Sequence, residues 1–297
     1  MNTSDFVTNV QSRMQMEIRD EDKLYRYNGV LYPRILCPEG NFKALQNIEA
    51  RENDIMIVAY PKCGFNWMVG VLRKIIAEAT GMKIESKMPP LIEFFGPDVV
   101  KVPIGCTPSP RLLGTHLLPD NIPKSFHAKK TKMLVIFRNP KDTLVSFYHF
   151  YNKMPVHPSV QWDAFYSNFL SGDVAFGSYF DHALAWEKRM DDPNVMIVTY
   201  EELKQDLSEG VRQISTFFGF SLTEAQVQQI AEGSTFSAMK ENYTNMVTGN
   251  IVFRKGEVGD WKNHFTPEQS REMDDAFNKH LAGTRLGDKL NYQLYCQ

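Results

Sequence analysis

Lys62 stands two residues before a glycine in Pro-Lys-Cys-Gly, Arg138 heads the run Arg-Asn-Pro-Lys-Asp, and Arg254 and Lys255 sit side by side before Gly256. Cations placed where the backbone can come close are the means by which a protein holds a phosphate-like anion. Around Lys62 the pattern is sharpest. Between Asp54 and Glu78 there is no acidic residue, while Lys62, Arg73 and Lys74 are present, so nothing in the segment opposes a bound negative charge. The order is not that of a Walker A loop, because Gly-x4-Gly-Lys-Ser/Thr is absent, which argues against ATP or GTP hydrolysis. On these residues alone, an ordinary Pro/Gly turn between a strand and a helix would look the same. Ser146 follows Asn139 by two helical turns on one face, so a ligand resting on Arg138 can also reach its hydroxyl. His116, at the end of an apolar run, is a candidate base; a lone histidine there is more often structural, and its weight comes from its neighbours.

These groups need rigid elements to bring them together. Residues 55–60 form a short apolar run rich in branched side chains, the pattern of a strand buried on both faces, and Pro61 and Gly64 end it. From Trp67 on, Trp67, Met68, Val71, Leu72 and Ile75 recur at helical spacing, which predicts a helix starting within a residue or two of Asn66. Strand, tight loop and helix in that order aim free N–H groups and the positive end of the helix dipole at an anion. Residues 111–116, 133–137 and 195–199 predict three further strands. Asn139 caps the helix after 133–137, with Pro140 at its first position and Asp142 three residues past the cap, and that helix runs to about residue 153. After 195–199, Tyr200-Glu201-Glu202 leads into a helix that Gly219 stops. Strands alternating with helices predict an α/β fold, a parallel sheet with helices on both faces and ligands at the carboxyl ends of the strands. Lys62, His116, Arg138 and Tyr200 all fall at such ends.

The remainder reads as a single domain over 1–297, without internal repeat or convincing boundary. Residues 1 to about 40 form an arm over the surface, with 25–33 its only strand-like part, and Asn41 is expected to cap a short helix reaching residue 50. Residues 83–110 carry six prolines and the apolar Leu91, Phe94 and Phe95, the mark of a lid or binding segment. Amphipathic helices are expected at 161–169 and 179–190, a glycine-bearing loop at 253–266, and a last helix from 267 to about 281. A net charge of -2 argues against a general nucleic-acid binder, so any basic residues that matter act locally. No stretch has the length of a membrane span, and the first residues lack the basic and apolar regions of a secretion signal. Cys37, Cys63, Cys106 and Cys296 have neither metal nor disulfide spacing, which suits a reducing compartment and a cytoplasmic location. Cys63, at a helix N-terminus among cations, is expected to be a reactive thiol, although burial would do the opposite.

Three segments together resemble the cytosolic sulfotransferases: Tyr-Pro-Lys-Cys-Gly-Phe-Asn-Trp at 60–67, the run from Arg138 to Ser146, and Arg-Lys-Gly-Glu-Val-Gly-Asp-Trp-Lys at 254–262. The resemblance covers nearly the whole chain and implies the donor 3′-phosphoadenosine 5′-phosphosulfate, with no metal. It implies Lys62 at the 5′ end, in a loop with Cys63, Gly64, Phe65 and Asn66. On the 3′-phosphate it implies Arg138, Ser146, Arg254, Lys255 and Gly256. Trp67, Tyr200, Thr235 and Phe236 are implied around the adenine, with Ser234 and Met239 also at the nucleotide. His116 is implied as the catalytic base and Lys62 as the group that stabilises the leaving phosphate. The acceptor implied is a small phenol, steroid or amine, lying on Leu91, Phe94, Phe95, Phe150, the Gly114 side of the pocket and the stretch 242–250.

The chain departs from the family's pattern in places. Hydroxyl residues are usual where it has Cys63, Phe65 and Asn66, and lysine is usual where it has Gly114, two residues before the base. Alternation along a strand turns position 114 toward the same space as His116, so the glycine is expected to leave room there for a larger acceptor. The departures also leave open a binding protein that holds the nucleotide but transfers poorly; retention of His116 and Lys62 favours the enzyme. The family's dimerisation pattern is only half present, as Lys262 and Thr266, so a homodimer through that segment is in doubt.

Overall fold

Asn28 and Gly29, both with positive φ (49° and 82°), join two short antiparallel strands, β1 (Leu24–Tyr27) and β2 (Val30–Pro33). Such a turn is what an Asn-Gly pair favours. The computed structural model describes residues 18–84, 91–94, 107–243 and 249–297, the side chains of 241–243 and 249–250 excepted. The first 17 residues of the expected arm, Phe95, Cys106 and much of the stretch 242–250 thus lie outside the described residues.

The four apolar runs form one parallel sheet: β3 (Ile55–Ala59), β4 (Leu112–Thr115), β5 (Lys132–Phe137) and β6 (Val195–Thr199), in spatial order β4-β3-β5-β6. β3 and β4 are buried along their whole length and β5 everywhere but its first residue. Such strands are almost wholly apolar because helices cover both faces, with Thr115 the buried polar exception. The register pairs Val58 with Thr115, Ala59 with Ile136 and Phe137 with Thr199, so the carboxyl ends lie level along one edge. Tyr60, His116, Arg138 and Tyr200 leave the sheet there.

At the opposite edge, Arg111 donates from Nε to Asp54 Oδ1 (2.7 Å) and from Nη2 to both Asp54 Oδ2 and Glu49 O. Asp54 Oδ2 also accepts from Arg51 N (2.7 Å). This buried ion pair ties the starts of β3 and β4.

The helix after β3, Phe65–Thr80, begins at Gly64 and ends at Gly81, both left-handed. After β5, Asn139 caps the helix Pro140–Lys153 by accepting from Asp142 N (2.8 Å), as its sequence predicts. The helices expected at 161–169 and 179–190 are observed as Trp162–Ser171 and Tyr179–Glu187, and the last as Pro267–His280. The helix expected from Tyr200 to Gly219 is two, Tyr200–Gln205 and Leu207–Phe218. Asp206 breaks it, taking an extended φ of -144° and capping the second piece at Glu209 N. Asn41 does not cap a helix. It lies inside Glu39–Leu45, where its side-chain amide donates to Ile92 O (3.3 Å) and so holds the segment 91–94 in place.

Candidate active site

Between β3 and its helix the chain turns through Lys62 (φ 72°) and Gly64 (φ 110°). A Cβ at Gly64 would lie 3.1 Å from Tyr200 Cδ2, so both backbone conformation and the close tyrosine ring call for glycine. No side chain caps the helix, its first turn carries no acid, and its first backbone hydrogen bond runs from Met68 N to Gly64 O. The N–H groups of Phe65, Asn66 and Trp67 therefore precede the helical ladder and are available to an anion. Lys62 Nζ donates to Val252 O (3.3 Å) and sits 4.2 Å over the Phe150 ring. Although part of Lys62 reaches solvent, its ammonium is pushed down to about 7, by burial first and then by the positive charge of Arg138, Arg254 and Lys153.

One residue past β4, His116 Nδ1 lies 2.7 Å from Ala59 O. A carbonyl can only accept, so Nδ1 carries the proton and the lone pair at Nε2 is free for chemistry. Burial pushes the imidazole down to about 4; the bond to Ala59 pulls upward and Lys62 adds to the fall. At neutral pH the ring is uncharged. The backbone N–H of His116 donates to Glu93 Oε1 (2.7 Å), and Ile92 N donates to Gly114 O (2.9 Å), so the segment carrying Leu91 and Phe94 is fastened to the strand that carries the histidine. Burial raises the Glu93 carboxyl to about 7 against the pull of that N–H.

Arg138, also buried, lies 4.4 Å from the centre of the Tyr200 ring and donates to Glu257 O (2.6 Å). Asp142 is 3.6 Å away, and Arg138 Nε has no hydrogen-bond partner among the described residues. Asp142 joins two of the three motifs: it accepts from Gly259 N (2.7 Å) and Trp261 N (3.1 Å), docking the C-terminal loop on the N-terminus of Pro140–Lys153. Within that loop Asp260 pairs with Arg254 and Lys255, each at 2.5 Å. Burial pushes the Asp260 carboxyl up, but hydrogen bonds from Lys255, Asn263 and Arg254 outweigh it and hold the group well below the usual carboxylate range. Arg254 Nε, like that of Arg138, is buried and unpartnered among the described residues. A side chain at Gly256 (φ 73°) would collide with the Phe236 ring, which packs on that stretch of backbone. Ser146 is half-buried on the Arg138 helix, with no hydrogen bond to another described residue.

On the other side of the loop, Trp67 Nε1 donates to Ser234 O (2.7 Å), and Trp67 lies edge-on to Tyr200, ring centres 5.2 Å apart. Met239 packs against Gly70 of the same helix, Phe236 meets Phe253 edge-on at 5.8 Å, and exposed Thr235 accepts from Ala238 N (3.4 Å). The fold thus gathers the side chains of all three motifs along one edge.

Two expectations fail. Cys63 is fully buried, its sulfur 3.6 Å from Thr143 Oγ1, and burial pushes the thiol up to about 12 against the lowering influence of Thr143 and Arg138. Desolvation, not the helix terminus, decides its state. Nor does Gly114 leave room beside the base: a Cβ there would lie 2.7 Å from Phe65 Cε2 and closer still to Cζ, so the Phe65 ring occupies that space.

Several site residues escape the sequence reading. Phe176, in a loop at φ 70°, lies 5.0 Å from the His116 ring. The aromatic-glycine pair Phe176-Gly177 between two helices was the available signal. His149 and His264 meet edge-on near Arg254 (ring centres 5.0 Å), and burial followed by the Arg254 charge lowers His149 to about 4. Glu93 gave no local signal, since it acts through a contact 23 residues away, whereas Asp260 lies in the C-terminal motif itself, beside the Arg254 and Lys255 it pairs with.

A family model for the sulfotransferase domain matches residues 52–285. The sequence is 57% identical to sulfotransferase 6B1 of Danio rerio, over 98% of this chain and 100% of that protein, and 46% identical to sulfotransferase 6B1 of Homo sapiens, over 92% and 91%. Among solved structures, mouse sulfotransferase SULT7A1 complexed with PAP gives a TM-score of 0.84 at 35% identity, covering 92% of this chain and 99% of that one. Retinol dehydratase in complex with androsterone and inactive cofactor PAP shares the fold, with a TM-score of 0.72 at 19% identity over 88% of this chain and 89% of that one.

Proposed function

The chain belongs to the sulfotransferase family, and from that premise we propose that it moves a sulfuryl group from 3′-phosphoadenosine 5′-phosphosulfate to the hydroxyl or amine of a small aromatic or steroid-like acceptor. The observation that carries this is the pair of arginines, Arg138 and Arg254, whose buried Nε groups have no partner among the described residues, on the same sheet edge as a histidine with a free Nε2. The donor set is cations, backbone N–H groups and the Ser146 hydroxyl, which fits a nucleotide bearing phosphates at both ends. In a relative of this family, mouse SULT7A1, the bound molecule is PAP, which we take to be the product nucleotide 3′-phosphoadenosine 5′-phosphate.

Arg138, Arg254, Lys255 and Ser146 hold the 3′-phosphate in this proposal, Lys62 and the N–H groups of Phe65, Asn66 and Trp67 the 5′ end, and Trp67, Tyr200 and Phe236 the adenine. The donor supplies an activated sulfur whose transfer, like phosphoryl transfer, runs in line and asks little covalent chemistry of the protein. His116 Nε2 takes the proton of the acceptor as its oxygen or nitrogen bonds to sulfur. Lys62 neutralises the charge that grows on the phosphate oxygen as its bond to sulfur breaks. Leu91, Phe94 and Phe150 give the acceptor an apolar surface. Incubation with sulfur-labelled donor against a panel of phenols, steroids and amines tests this: label should pass to at least one acceptor class and be lost in His116→Ala. A protein that binds PAP but labels no acceptor would reduce the assignment to nucleotide binding.

A further inference from the structure

We propose that Phe65 and Gly114 work as one unit, in which the Phe65 ring is a positioning residue that clamps the His116 imidazole and Gly114 supplies the space the ring needs. This rests on His116 being the base of the sulfuryl transfer proposed above. Position 114 pairs with Ile57 in the sheet, and a Cβ there would lie 3.2 Å from Ile57 Cγ2 on one side and inside the Phe65 ring's contact distance on the other. Phe65 is 3% exposed, so the ring cannot step aside into solvent. Its centre lies 5.1 Å from that of His116, tilted by 60°. Phe176 (5.0 Å) and Phe94 (6.3 Å) approach the same imidazole from two other segments. Three rings and the bond to Ala59 O thus leave the imidazole one orientation, with Nε2 turned away from the carbonyl.

Phe65 is also the first residue of its helix, so its backbone N–H belongs to the turn offered to the donor while its ring touches the base. Gly114 in turn accepts from Ile92 N and bridges Leu91. Displacing either partner therefore disturbs base, donor loop and acceptor segment together. The titratable groups facing His116 among the described residues are Lys62 from the donor loop, Glu93 from the segment before β4, and His182 from Tyr179–Glu187. Removing the Phe65 ring admits water to the imidazole and leaves all three in place.

The test is a double-mutant cycle of Phe65→Leu, Phe65→Ala and Gly114→Ala, with PAP binding and thermal melting measured on each variant and kcat, KM and a pH profile on each that folds. Phe65→Ala should lower kcat by roughly 10²-fold through misplacement of the base, with less effect on KM for the donor. It should also move the acid limb of kcat/KM up by about one pH unit as the imidazole is rehydrated. Phe65→Leu should recover part of both. Gly114→Ala should be harmful when Phe65 is intact and neutral or helpful when combined with Phe65→Ala, where its methyl fills vacated space; that change of sign identifies the unit. Additive losses with an unmoved acid limb, in a wild type that transfers label, would overturn the proposal. A wild type that transfers nothing would instead overturn the assignment of function on which it rests.

Discussion

The two edges of the central sheet handle buried charge in opposite ways. At the amino edge Arg111 meets Asp54 through two hydrogen bonds and reaches Glu49 O, while Asp54 takes a further backbone N–H. Among the described residues at the carboxyl edge, Lys62 has only a carbonyl and an aromatic face, and Arg138 and Arg254 each keep a buried Nε without a partner. Burying an unsatisfied donor costs about 1–3 kcal/mol, more when it is charged, so folding alone would not favour the second arrangement. A doubly hydrogen-bonded pair marks scaffold; cations gathered from three segments, with donors left over even where Asp142 and Asp260 lie close, mark a place for a ligand's negative charge.

Substitutions at the two edges should separate these roles. His116→Ala should cut turnover by roughly 10² to 10⁴ while PAP affinity stays near that of the wild type, because the base faces the acceptor. Steady-state rates alongside calorimetry check this, and full activity with a phenol would assign the base elsewhere. Asp54→Ala should do the reverse, lowering stability by about 3–5 kcal/mol through an uncompensated Arg111. Urea unfolding measures that loss, and PAP binding to the variant that remains folded should be close to normal. A stability change under ~1 kcal/mol would remove the contrast between the edges.

A smaller effect concerns protons. Burial and three neighbouring cations push Lys62 down to about 7, so above that pH the free protein holds much of it as the neutral amine. Phosphate charge favours the ammonium, and PAP binding at pH 8 should therefore take up as much as about one proton, less in Arg138→Ala. Calorimetry in buffers of different ionisation enthalpy reads this directly; heats independent of buffer would contradict it. The smallest expected effect is at Cys63, whose thiol is pushed up to about 12 by burial. The folded protein should show no alkylation of Cys63 by iodoacetamide, with or without PAP, and mass spectrometry of a folded, modified Cys63 would contradict that.

Much of the fold was legible because it is written locally. Four apolar runs, the Asn139-Pro140 helix start and the glycine after Phe218 each declare their element within a few residues, and the alternation of strands and helices then places Lys62, His116, Arg138 and Tyr200 on one edge. What failed depended on partners distant in sequence. Cys63 reads as reactive from its helix terminus, and only the packed structure shows that desolvation wins. Gly114 reads as empty space, yet which ring fills it is decided where β4 and the helix after β3 meet. Glu93 looks like an ordinary surface acid, and it orders the acceptor segment because the N–H of His116, 23 residues on, donates to it. Asp206 splits a helix whose apolar periodicity runs on through it, because its side chain caps the following turn.

The contrast between the edges is tested most directly by titrating PAP calorimetrically into the wild type, Arg138→Ala and Arg254→Ala, with thermal melting of each protein free of ligand. Each substitution should weaken binding by about 1.5–3 kcal/mol, the range of a charge-assisted hydrogen bond; the ligand-free melting temperature should hold or rise in Arg138→Ala and fall less in Arg254→Ala than in Asp54→Ala, because Lys255 still holds the Asp260 carboxylate. Equal affinity in all three proteins, or a loss of melting temperature as large as that of Asp54→Ala, would show that these arginines belong to the scaffold and not to a nucleotide site.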